Sequence, residues 1–287
     1  MCETCGCAVT ANTGVKPAAT HTVTVMRGLL DQNNQQAGHN RAHFDEHGVL
    51  ALNLMSAPGS GKTSLLERTI DTLAGRLKCA VIEGDLETDN DAQRIRRHGV
   101  PAVQITTGSI CHLDAAMVHD ALHHLPLTGL DVVFIENVGN LVCPASFALG
   151  THADVALISV PEGDDKPAKY PVMFRGAALV IVSKADLLPL FDDFSVLEVA
   201  SRVRALANPA PVVALSARTG LGLDVWIDWI EAQVAARRAG RRSVSAHATG
   251  HEGQHAAAHA ADHDSGHGGT HAGAHAHEPP AVVAEPP

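Results

Sequence analysis

The chain of 287 residues has few aromatic side chains, no excess of positive charge and no long apolar run. Phe, Trp and Tyr make up 3% of the residues, so a hydrophobic core has to be built from aliphatic side chains. Lys and Arg number 21 against 31 Asp and Glu, which gives a formal charge of −10. A nucleic-acid-binding surface is normally basic, so we expect no nucleic-acid partner.

No apolar run reaches the ~18 residues that are needed to cross a lipid bilayer. The first residues also lack the basic stretch followed by an apolar stretch that marks a secretory signal. We therefore expect a cytoplasmic protein with no membrane insertion. Thiols are mostly reduced in that compartment, so clustered cysteines indicate metal or redox chemistry more than a disulfide framework.

Three regions differ in composition. Residues 1–44 begin MCETCGC and continue through a polar stretch, for which we predict a flexible arm with at most a short helix near Val23–Leu30. Residues 45–240 alternate between short apolar runs and helix-like segments. Residues 241–287 are rich in Ala, Gly and His, with a His at every fourth position over much of their length. We predict a disordered tail there, because little of it can be buried.

The middle region has the alternating pattern of a doubly wound α/β domain. Its apolar runs are continuous, as expected for parallel strands that are covered by helices on both faces. Helix-like segments such as TSLLERTIDTLAGRL and VLEVASRVRALA separate several of them. We therefore predict an α/β fold with a mostly parallel sheet, whose strands are LALNLM, CAVIEGD, AVQITT, DVVFIEN, DVALISV, ALVIVSK and PVVALSA.

The segment LNLMSAPGSGKTS predicts a phosphate-binding P-loop, because an apolar strand runs into it and a helical pattern follows. Its Gly residues let backbone N–H groups close around phosphate oxygens, its Lys reaches the terminal phosphates and its Thr hydroxyl is a ligand for Mg²⁺. Ser56 stands where such loops usually have their first Gly. The predicted nucleotide-binding residues of this loop are Gly59, Ser60, Gly61, Lys62, Thr63 and Ser64.

Two later loops favour GTP as the nucleotide. Lys184 and Asp186 follow the strand ALVIV, where a carboxylate can accept hydrogen bonds from guanine N1–H and the 2-amino group. Adenine lacks this pair of donors. The usual guanine signature has Asn before the Lys, whereas this chain has Ser183. Ser216 and Ala217 follow the strand PVVAL and resemble the loop behind the guanine carbonyl. An acid at a helix N-terminus is the other interpretation of Asp186.

Two acidic residues lie at the ends of predicted strands. Asp85 ends CAVIEGD, and Glu136 precedes the Asn that ends DVVFIEN. Either can orient Mg²⁺ or the attacking water, and the segment ENVG resembles a loop that senses the γ-phosphate. We therefore predict Lys62, Thr63, Asp85 and Glu136 as the catalytic residues. Acids at strand ends also occur without a catalytic role.

Three further side chains form a candidate metal site inside the middle region. Cys111 and His112 follow the strand AVQITT, and Cys143 lies shortly after ENVG. Both loops lie at the carboxyl edge of the predicted sheet, and two thiolates with an imidazole suit Zn²⁺ or Ni²⁺. The alternative is a pair of buried cysteines beside an unrelated His. We interpret His119, His123 and His124, on an Ala-rich helix, as surface residues and not as ligands.

The first residues contain half of the six cysteines. Cys2, Cys5 and Cys7 can converge on one ion, because Gly6 allows a tight reversal of the chain. A disulfide between the last two would close too tight a loop. Three sulfurs leave one position of a four-coordinate site, which we expect the nearby α-amine to fill. The sequence therefore predicts a metal site at this end.

Together these motifs resemble the HypB family of nickel-inserting GTPases, which serve the maturation of [NiFe]-hydrogenase. The resemblance rests on the Cys-x-x-Cys-Gly-Cys start, SAPGSGKTS, the Cys-His pair, ENVGNLVCP and a His-rich segment, over residues 1–7 and about 45–240. It implies a dimerising GTPase domain, of the class that includes the urease accessory GTPase. It also implies a tight Ni²⁺ site at Cys2, Cys5 and Cys7, and a Zn²⁺ or Ni²⁺ site at Cys111, His112 and Cys143.

The resemblance further implies cofactors and partners. The cofactors are GTP, Mg²⁺ and Ni²⁺, with Zn²⁺ as a further candidate. The partners are a second copy of the chain, a zinc-containing HypA-type accessory protein and the precursor of the hydrogenase large subunit. His-rich stretches of the family usually precede the GTPase domain, whereas here the stretch follows it, so its role as a nickel store stays open.

Two alternative functions fit the same motifs. A urease-type nickel GTPase shares the P-loop, although that family carries Cys-Pro-His where this chain has a Cys-His pair with no Pro. A metal-buffering protein would use the thiols and the His-rich tail, with a GTPase that no longer turns over. Comparing GTP turnover of the wild type with that of Lys62→Ala separates an enzyme from a buffer.

Overall fold

A single sheet of seven parallel strands organises the molecule. The computed structural model describes residues 19–86 and 90–257, with side chains over 28–86 and 90–240. The strand order is β3-β2-β4-β1-β5-β6-β7, which confirms the predicted α/β fold and all seven predicted strands. The strands are β1 Leu50–Ser56, β2 Cys79–Asp85, β3 Ala102–Thr106, β4 Val132–Glu136, β5 Ala153–Ser159, β6 Leu179–Ser183 and β7 Val212–Ala214.

Helices cover the sheet and connect its strands. Short 3-10 helices span Cys143–Ser146, Val160–Glu162 and Ala185–Leu190. The α-helices are α1 Ala19–His47, α2 Lys62–Leu73, α3 Asn90–Arg96, α4 Ala115–Leu122, α5 Lys166–Lys169, α6 Pro171–Gly176, α7 Val196–Ala205 and α8 Leu223–Ala257. By its contacts the chain divides into two units, Met1–Arg242 and Ser243–Pro287, and the sheet lies in the first. No helix in the described ranges is both long enough and apolar enough to cross a bilayer.

The core is aliphatic, as the composition requires, with a few large aromatic side chains at its centre. On one side, residues of α2 and α8 pack on the sheet, and fully buried Trp226 donates a hydrogen bond from Nε1 to Thr69 Oγ1 at 2.8 Å. On the other side, Phe44 packs with residues of β1, β2 and α4, while Phe174 packs with residues of β5, β6 and α7. Burial on both sides explains why the strands are apolar throughout.

Helix α1 is longer than the short helix that the sequence predicts near Val23–Leu30. Its polar residues are not all exposed, because buried Asn amides satisfy backbone groups of neighbouring loops. Asn33 accepts a hydrogen bond from the Ala115 N–H at 2.9 Å, and Asn40 donates to the carbonyls of Ala115 and Leu149 at 2.8 and 3.1 Å. This packing crosses the boundary at residue 44 that composition suggests.

Helix α8 also passes a boundary that composition suggests, at residue 240, and its backbone is helical to Ala257. Ala and Arg are strong helix formers, and they are frequent in the segment AARRAGRR. The remainder of the predicted tail lies outside the described residues. So do the predicted metal ligands Cys2, Cys5 and Cys7.

Candidate nucleotide and metal site

The phosphate loop connects β1 to α2, and its conformation depends on glycine. Gly61 precedes the first residue of α2 with φ 92°, a left-handed value that side chains rarely adopt. Lys62 is buried, and its Nζ donates to Ser56 Oγ at 3.0 Å. Ser60 donates from Oγ to Glu162 Oε1 at 2.6 Å. The loop is therefore fixed at both ends by hydroxyl groups, one of which occupies the position of the usual first Gly.

Two buried carboxyl groups face this loop. Strand register pairs Glu83 of β2 with Glu136 of β4. Glu136 Oε1 accepts a hydrogen bond from Thr63 Oγ1 at 2.9 Å and lies 3.9 Å from Lys62 Nζ. Burial raises the pKa of Glu83, and the neighbouring charge of Glu136 raises it further. Burial also raises the pKa of Glu136, although Lys62 opposes this. Burial therefore disfavours the ionised form of both carboxyls.

This acidic pair fits a magnesium ion. Glu83 Oε1 and Glu136 Oε2 are buried without a hydrogen-bond partner, and Mg²⁺ prefers such hard oxygen ligands. Asp85 lines the same cavity as the pair, at the end of β2, where its Oδ1 accepts from the Leu86 N–H at 2.6 Å. Four acidic residues, Glu83, Asp85, Asp91 and Glu136, therefore line one cavity of about 480 Å³ together with Thr63.

The ENVG loop packs directly on the phosphate loop. A Cβ at Gly139 would lie 2.9 Å from the Pro58 Cα, a distance that real Cβ atoms do not show. Only Gly allows the two backbones to approach so closely at this point. If either loop moves towards the other, the second loop therefore has to move as well.

A second cavity, of about 280 Å³, adjoins the phosphate loop and contains the predicted guanine-binding residues. Ser183 donates from Oγ to the Ser60 carbonyl at 2.7 Å, and Lys184 donates from Nζ to the Gly59 carbonyl at 2.7 Å. Lys184 is also one of the described non-Gly residues with positive φ, at 56°. Such strain is typical of functional loops. The residues lining this cavity include Ser60, Ser64, Lys184, Asp186, Ser216 and Ala217.

Asp186 is mostly enclosed in this cavity and forms an ion pair with exposed Arg218 at 3.3 Å. Its carboxylate lies where the sequence predicts recognition of the guanine edge. The cavity that contains Asp186 adjoins the cavity that contains the acidic pair, because Gly61 and Lys184 line both.

The predicted metal ligands inside the domain also come together. One ligand atom each from Cys111, His112 and Cys143 lies within 4.8 Å of the others. His112 stacks on Phe147 with ring centroids 3.9 Å apart, and its buried Nδ1 has no hydrogen-bond partner. Burial lowers the pKa of His112, so its imidazole is neutral and available as a ligand. A hydrogen bond from Cys111 raises the pKa of Cys143. Two sulfurs and one imidazole suit Ni²⁺ or Zn²⁺.

One side chain connects the acidic pair to this cluster. Asn137 follows Glu136, and its Oδ1 accepts hydrogen bonds from the backbone N–H groups of Leu113 at 3.1 Å and Val138 at 3.0 Å. Leu113 directly follows the ligand His112. The residue after Glu136 is therefore bonded to the residue after His112, a predicted metal ligand.

Comparisons with known proteins agree with this geometry. The family described as CobW/HypB/UreG, nucleotide-binding domain, matches residues 50–214. Hydrogenase maturation factor HypB of Escherichia coli strain K12 is 50% identical over 208 residues, which cover 72% of this chain and 71% of the relative. The chain belongs to the HypB family.

Solved HypB structures have the same fold. HypB from Helicobacter pylori in complex with nickel is 42% identical, with a TM-score of 0.69, and the match covers 71% of this chain and 96% of that one. HypB from Archaeoglobus fulgidus is 38% identical, with a TM-score of 0.66, and the match covers 71% of this chain and all of that one. The match shows that the sheet and its flanking helices have the fold of solved HypB structures.

Within this HypB domain, sequence reasoning missed four residues that support the site. These are the lysine-holding Ser56, the paired acid Glu83, the bridging Asn137 and Glu162, which holds the phosphate loop. Glu83 left a signal in the sequence, because it stands two residues before Asp85 and so shares its face of the strand. Ser56 contacts Lys62 within the same loop, whereas Asn137 and Glu162 contact segments that are distant in sequence.

Proposed function

We propose that this HypB-family chain hydrolyses GTP and binds nickel, and that it helps to insert nickel into the large subunit of [NiFe]-hydrogenase. The observation that carries the proposal is the position of the Cys111–His112–Cys143 cluster, which one Asn side chain joins to the acid facing the phosphate loop. The relatives' name, hydrogenase maturation factor, supports the role in maturation. The nickel complex of the relative from Helicobacter pylori supports nickel as the cargo.

The residues of the two cavities divide the work on the nucleotide. Backbone N–H groups between Gly59 and Ser64 hold the phosphates, while Lys62 neutralises their charge. Asp186 accepts the guanine donors. Thr63, Glu136 and Asp85 would hold Mg²⁺, which supplies charge neutralisation at the β- and γ-phosphates when bound. Glu136 also orients the attacking water.

The partners follow from the same role. We infer that two copies pair on binding GTP or metal, and that a HypA-type zinc protein and the hydrogenase large-subunit precursor receive the nickel. Cys2, Cys5 and Cys7 form a separate nickel site in this proposal. A relative from Helicobacter pylori that is 43% identical is named hydrogenase/urease maturation factor, so delivery to urease is the second candidate.

The proposal is tested by GTP turnover of the purified full-length chain. Lys62→Ala removes the cation that stabilises the phosphoryl transition state, so we expect kcat to fall at least ~100-fold. Lys78→Ala removes an exposed lysine that lines neither cavity and should leave kcat unchanged. Equal turnover in the wild type and Lys62→Ala would contradict the enzyme assignment and favour a metal buffer.

A further inference from the structure

A second cluster of potential metal ligands lies on the surface where α1 packs against α4. His43 and His47 lie one turn apart on α1, with ring centroids separated by 4.9 Å. His119 and His123 lie one turn apart at α4, with ring centroids separated by 4.8 Å. We call these four residues the histidine cluster. None of them belongs to the cysteine-containing site, and the sequence alone suggested only surface residues on α4.

The α4 pair already has the separation of a chelate. The Nε2 atoms of His119 and His123 are 3.3 Å apart. Two imidazole nitrogens bound to one Zn²⁺ ion at a tetrahedral angle lie roughly 3.3–3.4 Å apart. Histidines four residues apart share one helix face, which is the spacing of helical zinc-binding pairs. His123 follows the last residue of α4 but keeps helical angles, φ −66° and ψ −16°, so the spacing is maintained.

A buried amide fixes the tautomer of His119. Asn40 is fully buried, and its Nδ2 donates to the carbonyls of Ala115 and Leu149, so its amide cannot turn over. Its Oδ1 lies 3.1 Å from Nδ1 of His119. An amide oxygen only accepts, so Nδ1 carries the proton and Nε2 presents a lone pair to solvent. Ligating histidines in metal sites are usually oriented by such a bond.

His43 lies next to this pair on the facing helix. Burial lowers its pKa, and the imidazoles of His47, His119 and His123 lower it further, while Glu46 raises it. His43 does not join the pair as a ligand, because among the described residues three ligating side chains converge only at Cys111, His112 and Cys143. His47 also points elsewhere, because its Nδ1 is bonded to the His43 carbonyl at 3.0 Å.

We propose that His119 and His123 chelate a borderline divalent ion, Ni²⁺ or Zn²⁺. Imidazole nitrogens suit both ions, and water completes the coordination. Metal binding requires the lone pair of His123 Nε2, so the proton that this atom donates to His119 is released to solvent. His123 Nδ1 takes up a proton from solvent in its place, and the imidazole stays neutral. This site goes beyond the proposed function, since it needs neither nucleotide nor thiol.

The test follows imidazole nitrogens by NMR in the full-length chain labelled with ¹⁵N-histidine during titration with Zn²⁺. We expect the Nε2 resonances of His119 and His123 to shift together, with His123 changing to the Nδ1–H tautomer. Ni²⁺ should broaden the same two resonances, and Mg²⁺ should leave them unchanged, because it prefers oxygen ligands. His119→Ala and His123→Ala assign the signals.

Variants make the test specific. His123→Ala should abolish the shift of the His119 signal, whereas His124→Ala, an exposed neighbour, should preserve it. Unshifted His119 and His123 signals, while histidines elsewhere respond, would overturn the proposal. A His119 shift that survives in His123→Ala would overturn the chelate. Unchanged backbone amide spectra outside α4 show that the variants fold.

Discussion

Glu83 shows how a single residue gains a role from its neighbour in space. Its sequence context is an apolar strand, and only the pairing of β2 with β4 brings it opposite Glu136. Local motifs such as the P-loop are visible in sequence, because consecutive residues build them. The acidic pair was not visible, because strand order is set by tertiary packing. Sequence reasoning identified only Glu136 of the two.

The titration of Glu83 has a consequence for stability. Burial raises its pKa, so the native state keeps a proton that the unfolded state loses above about pH 4.3. The unfolded state then binds fewer protons, and the free energy of unfolding falls as pH rises, by up to ~1.4 kcal/mol per pH unit. Glu83→Gln removes this proton exchange, so urea unfolding should show a smaller loss of stability between about pH 5 and about pH 8.

Glu198→Gln serves as the control for this measurement, because its side chain is 58% exposed. Its loss of stability over the same pH range should equal that of the wild type. A Glu83→Gln slope indistinguishable from the wild-type slope would mean that Glu83 is ionised in the native state.

Asp186 gives a second prediction at the residue scale. In Asp186→Asn an N–H donor replaces one carboxylate oxygen, so the 2-amino group of guanine loses its hydrogen-bond acceptor. Xanthine has a carbonyl oxygen in place of that amino group, so it gains a hydrogen-bond donor. We expect GTP affinity to fall at least ~100-fold and XTP affinity to rise. Equilibrium binding of fluorescent GTP and XTP analogues measures both. Arg218→Ala leaves the carboxylate in place, so its GTP affinity should be retained; a loss equal to that of Asp186→Asn would contradict the base-reading role.

At the scale of elements, helix α1 shows that packing can differ from what the composition of a segment predicts. The strands could be predicted, because short continuous apolar runs in this acidic chain are typical of buried parallel strands. Polar DQNNQQAGHN suggests a flexible arm, yet its Asn residues bond backbone groups of distant loops. Those partners lie far away in sequence, so no local sequence pattern predicts these hydrogen bonds.

The packing of α1 predicts a large cost for removing Phe44. Its side chain is fully buried among aliphatic residues of β1, β2 and α4, so Phe44→Ala should lower the free energy of unfolding by about 3–5 kcal/mol. Leu29→Ala, on the same helix but 54% exposed, should change it by less than ~0.5 kcal/mol. Chemical denaturation compares the two. An unchanged free energy of unfolding in Phe44→Ala would mean that the packing of α1 does not stabilise the domain.

At the scale of the whole molecule, Asn137 joins the cavity of the acidic pair to the cysteine-containing site. Nucleotide-dependent movement of the ENVG loop would change the position of His112 through Leu113. In a chain with Cys2, Cys5 and Cys7 replaced by Ala, we expect a non-hydrolysable GTP analogue to change Ni²⁺ affinity by about 5- to 150-fold, the usual range of such coupling. Thiolate-to-nickel absorption reports the binding.

Asn137→Ala should bring this ratio of affinities close to one, because the bond to Leu113 is lost. Asn34→Ala, at an exposed position of α1, should preserve the ratio. An undiminished ratio in Asn137→Ala would mean that the coupling takes another route.

The Asn137 bridge also has a consequence in the opposite direction. Equilibrium coupling between two sites is symmetrical, so whatever factor GTP applies to nickel, nickel must apply to GTP. A chain loaded with metal would then hold its nucleotide with a different affinity from an empty one. Under the proposed function, the Asn137 bridge would let bound nickel change nucleotide affinity, so that the nucleotide state would differ between a metal-loaded and an empty chain.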